Sequence, residues 1–269
     1  MANPLKLMCV LAHPDDESLG VGGTIARYSA EGVETYLVTA TKGERGWPFK
    51  EEPNPGPATL GRIRMAELLG AAPALGLRDV SFLDYMDGEL DQADPAQVIS
   101  KIVGHLRRVR PQVVVTFGPE GGYGHPDHIA ICQFTTAAVV CAADASFTAP
   151  GGQPAHRVAK LYYRVFTAEE FATYESVFGD TSTVVDDQER RAPGWPEWAI
   201  TTRIATADHW RRVWEAVACH QTQLPTYAAL EALPEERHRA LWGDQAYYRA
   251  FSTVNGGRQR ESDLFEGLR

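Results

Sequence analysis

The run from Leu5 to Ala12 is apolar almost throughout, and a charged cluster, His13-Pro14-Asp15-Asp16-Glu17, follows it at once. A strand that shows no alternation must be buried on both faces, and strands of that kind belong to parallel sheets covered by helices. The chain then keeps alternating. Gly22–Glu31 reads as a helix with Gly32 as its C-terminal cap, and 33–40 as a second strand. Residues 43–57, rich in Gly, Pro and Trp, read as a long loop. A helix is expected over 59–75, a short strand over 79–83, a helix from Asp94 or Pro95 to about Arg110, and a buried strand over 112–117. Pro126 suits the first turn of a further helix running to Val140. This order predicts an α/β fold: a Rossmann-like, doubly wound, mostly parallel sheet.

The second half is less regular. A Pro/Gly-rich loop is expected over 145–156, strands over 160–166 and 198–204, a helix over 207–220, and a polar surface excursion over 179–196. The chain shows no internal repeat. One domain over 1–269 is expected, with 1–142 as the Rossmann-like core and 143–269 capping the sheet and walling the pocket on the active-site face. The net charge of −9 disfavours a nucleic-acid partner. No segment reads as a signal peptide or a membrane span. Cys9, Cys132, Cys141 and Cys219 form no C-x-x-C pair and read as buried thiols, as in a reducing cytoplasm.

Open α/β sheets bind ligands at the carboxyl ends of their strands. His13, Asp15 and Asp16 follow the first strand, and His125, Asp127 and His128 lie just past the strand ending at Phe117. Taken singly, either Asp could cap a helix and either late His could be a surface or core residue. Taken together, two His/Asp clusters at strand ends supply the two-His, one-carboxylate set of a catalytic metal site. Gly20–Gly23 lacks the G-x-G-x-x-G spacing, which disfavours an oxidoreductase with a dinucleotide cofactor.

At these residues the sequence resembles the PIG-L/LmbE-like zinc deacetylases. Ala12-His13-Pro14-Asp15-Asp16-Glu17 and Gly124-His125-Pro126-Asp127-His128 carry the resemblance. Thr41-Lys42-Gly43-Glu44, the Arg64–Glu67 spacing, Leu75-Gly76, Gly122-Tyr123-Gly124 and the H-x-T-Q of 220–223 extend it over most of residues 5–225. The resemblance implies a metal-dependent hydrolase that removes an N-acetyl or other N-acyl group from an aminosugar or glycoconjugate. His13, Asp16 and His128 are then the ligands of Zn2+, or of Fe2+ or another divalent ion.

Asp15 is the implied general base. His125 is the implied oxyanion group, with Asp127 holding its ring or that of His128, and Tyr123 adds a hydroxyl donor. Either Asp15 or His125 protonates the leaving amine. Arg64 is a candidate for gripping a substrate hydroxyl, phosphate or carboxylate, or else pairs with Glu67 on its own helix. Glu44 is a candidate for the surroundings of the metal or for a sugar hydroxyl. His220 either lines the pocket or closes a helix. Trp47, Trp195 and Trp198 either stack on a sugar or fill core and oligomer contacts. A thiol-conjugate amidase and a non-catalytic sugar-binding protein remain the alternatives, and a homo-oligomer is left open.

Overall fold

The computed structural model describes residues 4–49, 51–178, 183–185, 188–190, 194–257 and 259–269. In chain order the first half holds β1 (Lys6–Leu11), the single turn α1 (Asp16–Leu19), α2 (Gly22–Ala30), β2 (Glu34–Thr41), α3 (Pro57–Leu75) and β3 (Leu77–Tyr85). There follow α4 (Pro95–Val109), β4 (Val113–Phe117), a distorted turn α5 (Gly121–Gly124) and α6 (Pro126–Ala143). The second half holds β5 (Lys160–Arg164), α7 (Ala168–Phe178), β6 (Thr183–Val185), β7 (Gln188–Arg190), β8 (Thr202–Ala205), α8 (Trp210–Cys219), α9 (Leu224–Glu231), α10 (Glu235–Leu241) and β9 (Asp244–Ser252).

One seven-stranded sheet has the order β3-β2-β1-β4-β5-β9-β8. β1 pairs in parallel with both β2 and β4, which extend to β3 and β5. This is the Rossmann arrangement, with the strand order reversing between β1 and β4, where a crevice opens at the carboxyl ends. β1, β2 and β4 are buried almost throughout, as unalternating apolar strands require. The two His/Asp segments leave β1 and β4 and therefore meet at the switch point.

The second half departs from the expected pattern. Of the segment 198–204 only 202–204 is strand, the start of β8; Glu197–Ala199 is a 3₁₀ turn, and Trp198 stands in solvent. β9, a strand that the sequence pattern does not predict, pairs antiparallel with both β5 and β8. β9 mixes polar and aromatic residues, so neither a clean period of two nor an apolar run announces it. The helices α7, α9 and α10 were not expected either. Much of the polar excursion over 179–196 lies outside the described residues; within it β6 and β7 pair antiparallel.

The C-terminal segment is tied to this edge by a buried ion. Glu261 takes hydrogen bonds from Lys160 Nζ (2.8 Å), Tyr162 Oη (2.7 Å), Thr202 Oγ1 (3.0 Å) and Asn255 Nδ2 (2.6 Å), and pairs with Arg249 (2.7 Å). Burial alone would raise its carboxyl, but these donors, Lys160 first, hold it at about 2. Its folded value is depressed, so the stability it contributes is present above the ordinary carboxylate value. That stability is lost as pH falls from there through about 2. Glu261→Ala leaves Lys160 buried, charged and without this partner. The expected loss is about 3–5 kcal/mol, or roughly 10 °C in Tm for a chain of this size. Thermal unfolding at neutral pH checks it, and a Tm within about 2 °C of the parent would contradict it.

Candidate active site

The first motif turns sharply. Asp15 sits at φ 104°, ψ −26°, a conformation that costs a non-glycine residue of order 1–3 kcal/mol. Asp16 then folds back, and its Oδ2 accepts the backbone N–H groups of Ala12 (3.2 Å) and His13 (2.7 Å). His128 occupies the first turn of α6, as Pro126 led one to expect. Its Nδ1 donates to the Gly121 carbonyl (3.2 Å), and its ring stacks on Phe117 at 3.9 Å. Gly121 has φ +65°, and a Cβ there would lie 3.0 Å from that of His128. Only glycine permits this approach.

Donor roles follow from the partners. With Nδ1 donating, His128 presents an unprotonated Nε2. His13 Nε2 faces two carboxylates, Asp87 Oδ1 and Asp127 Oδ2, each at 3.1 Å. Its Nδ1 is thereby turned toward His128 Nε2, 3.1 Å away. Asp16 completes the group, with Oδ2 3.7 Å from His13 Nδ1 and Oδ1 3.5 Å from His128 Nε2. A tetrahedral ion with ligands at about 2.0–2.1 Å would space them about 3.3–3.4 Å apart. Two imidazoles and one carboxylate, whose two oxygens each face one ring, are donor types that suit a divalent metal.

The electrostatics are those of a buried acid cluster. Burial, reinforced by Asp15, drives Asp16 up to about 7, although His13 opposes it. Burial, with His13 and His125 nearby, holds His128 well below the ordinary histidine value. For His13 burial acts downward but is outweighed by Asp127 and Asp87, so its value lies well above the ordinary one. Burial raises Asp15 despite the opposing charges of Arg64 and His220.

Arg64 lines the site's cavity and does not pair with Glu67. It is buried, and Glu67 accepts instead from Thr222 N and Oγ1, both at 2.7 Å. Its Nη2 donates to the Pro14 carbonyl (2.6 Å) and to Asp15 Oδ2 (3.1 Å), and its Nη1 to the Gly43 carbonyl (3.0 Å). The guanidinium thus grips the loop of Asp15 from within the cavity lining. Gly43 has φ +69°, and a Cβ there would fall 2.3 Å from Arg64 Nη1. The glycine of the T-x-G-E motif makes room for that arginine.

A cavity of about 360 Å³ opens over these groups. His13, Asp15, Asp16, Asp87, His125 and His128 form its polar side, and Leu19, Phe166, Phe171 and Tyr174 its apolar side. Tyr123 lies in the wall, its hydroxyl held in the neutral form by burial and then by Asp16 and Asp15. His125 Nδ1 accepts the Asp127 N–H (3.1 Å), so its proton resides on Nε2 in the neutral form. Asp127 meets the ring of His13, not the ring expected of His125 or His128, and it also accepts from Gly88 N (2.7 Å) and Leu90 N (3.0 Å).

Glu44 does not line the cavity. Its Oε2 accepts from Lys42 N (3.1 Å) and Asp87 N (3.3 Å), so it holds the residue whose carboxylate faces the His13 ring. His220 pairs with buried Glu17 at 2.8 Å. Trp47, Trp195 and Trp198 are absent from the cavity wall among the described residues. Asp87 was missed, yet Asp87-Gly88 stands just past the carboxyl end of β3, where the same strand-end logic applied. The aromatic wall from Phe166 and α7 carried no local signal.

Residues 8–139 match the family described as PIG-L, GlcNAc-PI de-N-acetylase. The 1D-myo-inositol 2-acetamido-2-deoxy-alpha-D-glucopyranoside deacetylase of Streptomyces avermitilis is 36% identical over 300 residues, spanning 98% of this chain and 97% of the relative. The N,N'-diacetylchitobiose deacetylase of Pyrococcus horikoshii superposes with a TM-score of 0.66 at 20% identity, covering 91% of this chain and 83% of that one. The 4-carboxy-2-hydroxymuconate hydratase of Pseudomonas putida does so with 0.65 at 20% identity, covering 94% and 99%. At such identities the likeness concerns the fold alone, and one fold carries different reactions.

Proposed function

Because the chain belongs to the PIG-L, GlcNAc-PI de-N-acetylase family, we propose that it is a zinc-dependent hydrolase removing the N-acetyl group of an N-acetylglucosamine derivative. The observation that carries this reading is the convergence of His13 Nδ1, His128 Nε2 and the Asp16 carboxylate beside Asp15 in one cavity. His13, Asp16 and His128 would hold the ion, and Asp127 and Asp87 would hold the His13 ring through its other nitrogen. A bound divalent ion supplies two things, a more acidic water and a more polarised amide carbonyl.

The side chains supply the rest. Asp15 is the general base. Its Oδ2 is engaged by Arg64, so Oδ1 takes the proton of the attacking water. His125 Nε2–H donates to the amide oxygen as negative charge gathers there, and the Tyr123 hydroxyl adds a second donor. The amine leaves with a proton from Asp15 or His125. The aromatic side of the cavity suits the apolar face of a pyranose ring. The same apolar side favours one second reading, hydrolysis of a longer N-acyl group, as in a thiol-conjugate amidase.

The proposal treats the chain as one catalytic unit, since both halves contribute strands to the seven-stranded sheet. It places the enzyme in the cytoplasm, on four cysteines that form no disulfide. Among the described residues no helix is long and apolar enough to cross a membrane. The test is amine release from N-acetylglucosamine, its α-linked inositol glycoside, diacetylchitobiose and N-acyl homologues, with Zn2+ and with Fe2+. Release from an N-acetyl aminosugar is expected. Turnover of longer N-acyl groups alone would favour the amidase reading, and no release from any substrate would overturn both.

A further inference from the structure

Among the described residues lining the cavity, Asp15 is the only non-glycine residue at positive φ. A residue stays in such a conformation only when its surroundings over-determine it. Arg64 holds the Asp15 side chain and the preceding carbonyl. The Asp15 backbone N–H is held by a different group, Glu17 Oε2, at 3.0 Å.

Glu17 is fully buried and does not line the cavity. Its other oxygen accepts the Ser18 hydroxyl (2.5 Å) and faces His220 Nε2 (2.8 Å). His220 closes α8, 203 residues along the chain from Glu17, and is 1% exposed. All three groups around Glu17 can donate, and a carboxylate, which only accepts, matches all three. A buried carboxylate is costly unless paired in this way. The proposed mechanism gives neither Glu17 nor His220 any task.

We propose that Glu17 and His220 are a positioning pair for the general base. His220 orients the Glu17 carboxylate, and that carboxylate pins the Asp15 N–H, fixing the turn that aims the Asp15 side chain. The proposal rests on the reading of Asp15 as base. It assigns a role to the last residue of the A-H-P-D-D-E motif and to the first of the late H-x-T-Q motif, and it places both behind the site.

The test compares Glu17→Met with Glu17→Gln in the full-length, metal-loaded protein. Met has similar length but no acceptor, and misplacing the base should lower kcat about 100-fold. KM should stay within about threefold, since substrate contacts are untouched. Metal content should match the parent. Gln keeps an acceptor oxygen for the Asp15 N–H and should recover at least about tenfold of the loss. His220→Leu, which leaves Glu17 in place without its orienting partner, should lower kcat about tenfold and serves if the Met variant does not fold.

A folded, metal-loaded Met variant with kcat near that of the parent overturns the proposal. So does a loss of kcat that tracks metal loss, a Gln variant as slow as Met, or a His220→Leu variant with unchanged kcat. Asp15→Asn, assayed alongside, separates the two claims. If that variant stays active, the base assignment fails. If it is inactive while Glu17→Met is fully active, the positioning claim alone fails.

Discussion

Asp15→Asn should lower turnover by about a thousandfold, within the range that a positioned general base contributes, while the protein still binds about one divalent ion per chain. Asparagine is the informative substitution. It tolerates positive φ better than alanine does, so the strained turn at 104° survives. Its side-chain oxygen can still accept from Arg64 Nη2, so the buried guanidinium keeps a partner. What is lost is the basicity of the carboxylate. His13, Asp16 and His128 are untouched, so the ion stays. Steady-state amine release together with metal analysis of the same sample provides the check. Full turnover would remove Asp15 from its role, and metal loss equal to the activity loss would make it a ligand instead.

Stripping the metal should have the opposite signature, with metal and turnover disappearing together. Dialysis against a strong chelator is expected to leave less than about 1% of the activity, restored on adding back Zn2+. His13→Ala should behave alike without being rescued, because it removes the nitrogen facing His128 at 3.1 Å. That variant also leaves Asp87 and Asp127 without the ring they share, so a lower Tm is expected. The chelator experiment avoids that complication and is the more decisive of the two. Chelator-resistant turnover would contradict the proposed mechanism at its root.

The two predictions rest on a division that the tertiary structure sharpened. Asp15 and Asp16 are adjacent in sequence, yet the turn between them sends one carboxylate toward Arg64 and the other toward the two imidazoles. The resemblance implied this division, and the backbone conformation supplies a physical reason for it. Arg64 shows the reverse case. A helix arginine three residues before a glutamate reads as a local ion pair or as a substrate grip. Burial against the glycines at 43 and 46 carried it to the loop after β1, where it lines the cavity without pairing with Glu67.

The first half of the fold was legible because its signals are local. An unalternating apolar run can hardly be satisfied except between two layers of helices, and His and Asp placed at the ends of such runs fall on the ligand-binding edge of the sheet. The sequence alone therefore determined the parallel core, the strand ends and the His/Asp set. β9 was not legible, because a half-polar strand gains its place only by pairing with β5 and β8 far away in sequence. Asp87 on His13, Arg64 on Asp15, Glu17 with His220 and the aromatic wall from α7 were decided by tertiary structure for the same reason. Each is a contact between segments well separated in the chain, or depends on one, fixed by what burial leaves unpaired and not by any spacing along the sequence.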